Sequence, residues 1–184
     1  MNQFLPTLYN NTSIFLLGLF SAPTMVGIYN SILIVINLGI ALLGIVSRVF
    51  FPFLNRKKDA FLNYKKMMLG IVSLMSICIL VGHKLVFWYL NITYENAFWV
   101  LLILVIGLFG YTLSNIFGLN YFIVHRQDKL VMKNTIRASV IGFMLAFPLV
   151  HFFGIFGVAI NLSFSRWMMG GGLWYKFICY EKNS

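Results

Sequence analysis

The sequence predicts an all-α membrane protein: one bundle of about six transmembrane helices. Three observations carry that expectation. Hydrophobic residues make up 60% of the 184 and charged residues only 10%, with a mean hydropathy of +0.88, where soluble domains carry about 25% charged residues. A chain so poor in polar side chains cannot cover a globular surface in water. Several apolar stretches reach the roughly 20 residues that a helix needs to cross a bilayer, and the charges fall in short clusters between them.

Taken in order, no charge occurs between Met1 and Ser47. That length is too great for one crossing, and "SAPT" with Pro23 supplies a turn. Span one is read near 4–20, although "YNNTS" interrupts it, and span two near 25–50. The segment "RVFFPFLNRKKDAFLNYKK" then leaves the membrane. Span three lies near 67–90, span four near 97–122 after the short loop "NITYEN", span five near 138–153 and span six near 155–175. Gly154 and Gly157 surround the tight turn between the last two. The N-terminus has no basic region and no A-x-A cleavage site follows, so no removable signal peptide is expected.

The charges fix an orientation. The net charge is +10, from 14 Lys+Arg against 4 Asp+Glu. Twelve of the basic residues fall on one side: those of the 48–66 segment, Arg126, Lys129, Lys133, Arg137, Lys176 and Lys182. Lys84 alone falls on the other, and Arg166 belongs to neither. Such asymmetry is the positive-inside pattern of a polytopic protein rather than a nucleic-acid surface, and it places both termini in the cytoplasm. Trp88, Tyr89, Tyr94 and Trp99 bracket the outer loop as an aromatic belt.

The helix faces suggest where a site lies. In span two Gly27, Asn30, Ile34, Asn37, Ala41, Gly44 and Arg48 follow steps of three and four, so they share one face. That small, polar face wants protein or water rather than lipid. Two readings stand side by side: close helix packing with Asn hydrogen bonds, or the lining of a substrate cavity. Span six carries a similar stripe with Asn161 and Ser165, and span one offers Asn10 with Ser13. Arg166 stands ten residues before Lys176, near the membrane midplane, with no Asp or Glu in any span. It either reaches back to the cytoplasmic headgroups or sits in a hydrated cavity, where its planar fork of donors suits phosphate. The "GGG" at 170–172 follows at once and could unwind the helix there and free carbonyl groups. Arg48, near its span's end, has the same two readings.

Other chemistry is missing. No G-x-x-x-x-G-K-[ST] loop occurs. His83, His125 and His151 do not have metal-site spacing, and Cys78 with Cys179 reads as neither a metal pair nor a disulfide. No serine and histidine pair as an intramembrane hydrolase requires. No enzyme activity, cofactor or metal is expected.

"LGLFS", "VGIYNS" and "FFPFLNRKK", followed by "FGIFGVAINLSFSRW", resemble the C-terminal half of Wzx-type O-antigen and polysaccharide flippases. These belong to the multidrug/oligosaccharidyl-lipid/polysaccharide exporter superfamily. The resemblance runs along nearly the whole chain. It implies one six-helix half of a two-bundle transporter in the bacterial inner membrane. Such a transporter carries an undecaprenyl-pyrophosphate-linked oligosaccharide between leaflets by alternating access. The implied partners are that lipid-linked substrate, membrane lipids, an N-terminal half or second bundle, and the polysaccharide polymerase and glycosyltransferases of the same pathway. On this reading Arg166, Arg48, Asn30, Asn37, Asn161 and Ser165 are the candidate substrate-binding residues. A drug or metabolite exporter of the same superfamily, and a non-transporting membrane scaffold or accessory subunit, are the alternatives.

Overall fold

A computed structural model describes the backbone of residues 4–57 and 60–182, and the side chains of 11–57, 60–180 and 182. Among the described residues the regular structure is helical throughout. The elements are α1 (Phe4–Phe20), α2 (Pro23–Arg56), α3 (Phe61–Val81), α4 (His83–Tyr89), α5 (Ala97–Leu113) and α6 (Asp128–Lys182). A π-helical stretch, Ser114–Ile123, continues α5. Among the described residues four segments are long and apolar enough to cross a membrane: Pro23–Arg56, Phe61–Val81, Ala97–Ile123 and Asp128–Tyr180. The four differ from the six expected for two reasons. Only Asn11–Phe20 of α1 lies among the described side chains, and α6, counted as one segment, is bent back on itself.

That bend is at Gly154, whose backbone has φ 53° and ψ −125°. A residue with a Cβ is strained in that conformation and glycine is not. The limbs 128–153 and 155–182 then run side by side. Asn134 donates its side-chain amide to the Met169 carbonyl at 2.9 Å across 35 residues. A Cβ on Gly157 would collide with the Leu149 carbonyl. The sequence-predicted turn between spans five and six is therefore present.

The other boundaries follow local chemistry. Pro23 opens α2 at its first turn, where its missing N–H costs nothing, and Ala22 before it is extended at φ −60°, ψ 144°. α3 begins at Phe61 and stops at Gly82, whose N–H bonds the Cys78 carbonyl at 2.9 Å. The single run expected over 67–90 is thus two helices. α4 ends with Asn91 at φ 51°. The N–H groups of Asn91 and Ile92 reach back to the carbonyls of Trp88 and Phe87, the pairing of a left-handed helix stop. Arg126, at φ 58°, closes the π-helical stretch in the same way, with Gln127 bonding Phe122.

α6 and α5 form the centre of the bundle. α1 packs along α6, while α2 and α3 pack on α5 and its π-helical continuation. Small residues let the α5 and α6 backbones approach, the usual device of helices in lipid. A Cβ on Gly107 would stand 2.7 Å from the Ser163 hydroxyl oxygen, and one on Gly110 would stand 2.7 Å from the Trp167 nitrogen. Ser163 donates to the Ile103 carbonyl at 2.7 Å, and the Trp167 indole donates to Ile106 at 2.9 Å. The glycine triplet is a correction to the sequence reading. Residues 170–172 stay helical, and a Cβ on Gly170 would meet the Gly110 carbonyl. Close packing, not unwinding, is what Gly170 provides.

The basic segments meet at one end. Lys65 at the start of α3 lies 5.6 Å from the Phe117 ring and 5.9 Å from the Phe177 ring. Phe61 and Tyr121 also contact Phe177, with centroids 5.6 and 4.7 Å apart. The start of α3, the π-helical stretch and the last turns of α6 therefore meet at one end of the bundle. Lys84 and the exposed Trp88 and Tyr89 follow the far end of α3, and the exposed Trp99 lies in the first turn of α5.

Candidate functional site

Successive residues of an α-helix are turned by about 100°. On α2, Asn30, Asn37, Ala41 and Arg48 therefore fall within about 40° of one line, and Asn30 and Arg48 are five turns apart on it. All four are exposed. The opposite arc supplies the core: Tyr29, Ile32, Ile36 and Leu43 are wholly buried. A second exposed strip, Leu38, Leu42, Ile45 and Val49, runs beside the polar one. Thus the open surface of α2 carries an apolar strip suited to lipid beside a line of Asn30, Asn37 and Arg48, with Ala41 and the exposed Ile34 set among them, whose amides and charge lipid does not reward. Asn30 and Asn37 take no part in packing this bundle. The small residues that do pack α2 are Gly39, whose Cβ would touch Met75 at 2.9 Å, and Gly44, whose Cβ would face the Tyr111 hydroxyl at 3.7 Å.

The candidates on α6 sit elsewhere. Asn161 and Ser165 are both 0% exposed. Asn161 donates its amide to the Ser13 hydroxyl of α1 at 2.9 Å. Asn10, which the sequence places beside Ser13, lies outside the described side chains. Arg166 is half-buried, with its Nη1 enclosed by protein. A Cβ on Gly110 would stand 2.8 Å from the Arg166 carbonyl carbon, and Gly110 is midway along the apolar segment Ala97–Ile123. Arg166 thus occupies the middle depth of the bundle. The six candidates fall into three settings: an open stripe on α2, two buried positions on α6 of which Asn161 bonds α1, and one cation against α5.

The sequence reading missed one polar group. Asn120 donates to the Ser47 hydroxyl at 2.6 Å and to the Tyr64 hydroxyl at 2.7 Å, and the two hydroxyls lie 3.3 Å apart. All three residues are at most 2% exposed, so the group ties α2, α3 and the π-helical stretch together inside the bundle. Asn120 Oδ1 and Asn115 Nδ2 are also buried and have no hydrogen-bond partner among the described residues. Asn120, one of two Asn in the otherwise largely apolar run "SNIFGLNYFI", was the available signal, but its partners are 56 and 73 residues away. Among the described residues, no three His, Cys, Asp or Glu side chains gather as metal ligands.

No family model matches the chain, and no solved structure matches it. A curated protein of Escherichia coli (strain K12), named "Putative O-antigen transporter", is 32% identical to it. The aligned region covers 85% of this chain and 40% of that protein, so the chain spans less than half the length of its curated relative. By its apolar helices and this homology, the chain is a membrane-helical relative of part of a protein named as an O-antigen transporter.

Proposed function

We propose that the chain is one six-helix bundle of a flippase. The flippase moves undecaprenyl-pyrophosphate-linked O-antigen, or another oligosaccharide unit, across the bacterial inner membrane by alternating access. A second bundle supplies the facing half of the cavity. The six crossings are α1, α2, α3 with α4, α5 with its π-helical continuation, and the two limbs of α6. The basic end lies in the cytoplasm, together with both termini, because cations are retained on that side.

The observation that carries the reading is the open polar stripe of α2. Asn30 and Asn37 are amides on an exposed membrane-helix surface, and Arg48 continues their line towards the basic end. Such a stripe needs water or another polar surface beside it. Sugar hydroxyls in a hydrated cleft between two bundles meet that need, and Arg48 suits a phosphate entering from the cytoplasmic side. Arg166 sets a permanent positive charge at middle depth, where a diphosphate in transit gains most from it. Asn161 acts one step away from substrate, by holding α6 to α1 through Ser13, and Ser165 lies one turn further along the same buried face of α6. Rocking of one bundle against the other about this surface would alternate access.

The test is genetic. Deleting the coding locus in the source bacterium should remove the polysaccharide ladder from the cell surface, and re-expression should restore it. An unchanged ladder with raised sensitivity to toxic compounds would transfer the chain to the drug exporters of the same superfamily. An unchanged ladder with unchanged sensitivity, and co-purification with a fixed membrane partner, would favour the scaffold reading.

A further inference from the structure

A cleft of about 360 Å³ opens between the end of α2 and the start of α3. Its lining is Phe50, Phe53, Ala60, Asn63, Tyr64 and Met67. On α3 these residues follow steps of three and four, so they form one continuous helix face. The walls are mainly aromatic and aliphatic, and Asn63 is exposed. Tyr64 Oη is turned inward to Asn120, leaving the ring to the cleft. The cleft lies at the basic end of the bundle, where an apolar wall meets the level of lipid headgroups.

The rim is cationic. Arg56 and Lys57 close α2 one turn beyond Phe53, at the outer edge of the cleft, and Lys66, next to Met67 one turn further into α3, stands on its flank; all three are exposed. Lys65 is committed elsewhere, over the Phe117 and Phe177 rings. Only one acidic residue, Asp59, occurs between 48 and 66, against six basic ones. Clustered Lys and Arg beside a membrane helix attract anionic headgroups, while an aromatic cleft of this size accepts part of an acyl chain. Neither feature alone selects a lipid class. Together they separate a charged headgroup from a zwitterionic one.

We propose that this α2–α3 cleft is a binding site for an anionic phospholipid of the leaflet next to the basic end. The acyl chain lies between Phe50, Phe53 and Met67, and the phosphate is held by Arg56, Lys57 and Lys66. The site is distinct from the α2 stripe and does not depend on what the protein transports.

The experiment uses the full chain in nanodiscs of phosphatidylcholine, doped with a phosphatidylglycerol that carries a photoactivatable diazirine on one acyl chain. The same diazirine on phosphatidylcholine is the control. Peptide mapping should place the phosphatidylglycerol adducts on residues 50–53 and 63–67, exceeding the control there roughly fivefold or more. The combined Arg56→Gln, Lys57→Gln and Lys66→Gln variant should bring the two lipids to equal labelling. Asn63→Trp, which fills the cleft from an exposed position, should remove labelling by both. Equal labelling of the unaltered chain by the two lipids would overturn the proposal without reference to any variant. So would adducts spread over the open apolar strip of Leu38, Leu42 and Val49.

Discussion

Asn161 on the last limb of α6 donates its side-chain amide to the hydroxyl of Ser13 on α1 at 2.9 Å, and both residues are buried. The bond joins the two ends of the chain, 148 residues apart in sequence. In lipid there is no hydrophobic drive between helices, so such a bond and the packing around it decide whether α1 stays docked. The double-mutant cycle of Ser13→Ala with Asn161→Ala should give a coupling of about 0.6 kcal/mol, and at most about 1.7 kcal/mol. Thermal unfolding in detergent, followed by circular dichroism, measures it. A coupling of zero, with normal stability but failed export in Asn161→Ala, would return Asn161 to a direct role at the substrate.

The neighbouring glycines of the triplet separate by environment. A Cβ on Gly170 would meet the Gly110 carbonyl and the Leu113 side chain, whereas one on Gly171 would meet nothing within 4 Å. Gly170→Ala should therefore push the limb off α5, with an overpacking cost of about 1–3 kcal/mol. Gly171→Ala adds no contact and removes the helix penalty of glycine, so it should stabilise by about 0.5–1 kcal/mol. Melting temperatures of the two variants in one detergent should move in opposite directions.

The same triplet shows where sequence reasoning ends. Its composition suggested unwinding, because glycine is poor in helices; the structure keeps it helical because Gly170 pays that cost back as contact with Gly110. The turns at Pro23 and Gly154 were legible, since each rests on the conformational limits of one residue. The stripe of Asn30, Asn37 and Arg48 was legible as a face, because helix periodicity is local. Whether that face was packed or open was not, because burial depends on which helix lies beside it. Seam residues such as Asn161 looked the same as stripe residues for that reason.

The Asn120 group is the long-range feature that periodicity could not reveal. Asn120 supplies the donor that holds both Ser47 and Tyr64. Asn120→Leu should cost about 1–3 kcal/mol, since it removes the donor to both buried hydroxyls and leaves them only their own 3.3 Å bond. Tyr64→Phe should cost less, because the bond from Asn120 to Ser47 remains. Chemical unfolding of both variants, and of the pair together, checks this order. If Tyr64→Phe proves the more damaging, the tyrosine hydroxyl and not the amide organises the junction.

Arg166 tests the electrostatic part of the proposed function. In the assembled transporter, Arg166→Ala and Arg166→Glu should lower polysaccharide export, with membrane abundance little changed. Arg166→Lys should restore part of it, because lysine keeps the charge and loses the two-pronged geometry. Export is read from the surface polysaccharide ladder, and abundance from a tagged chain in the membrane fraction. Full export with Glu would remove Arg166 from the transport mechanism. A fall in abundance that parallels the fall in export would assign it to folding.

Asn37 offers the cleaner separation of packing from transport, because its side chain is open while its helix is anchored by the other arc. Asn37→Leu places an apolar group where lipid would welcome it and a hydrated cleft would not. If the stripe faced lipid, the variant should be neutral or slightly stabilising. If it lines the cleft, export should fall several-fold while the melting temperature holds. Leu42→Asn, on the adjoining strip, is the matched control. It puts a polar group into lipid and should lower membrane stability by about 1–3 kcal/mol. The expected pattern is a transport defect from Asn37→Leu and a stability defect from Leu42→Asn. The reverse pattern would mean that the polar line of α2 faces the lipid and the apolar strip faces a partner.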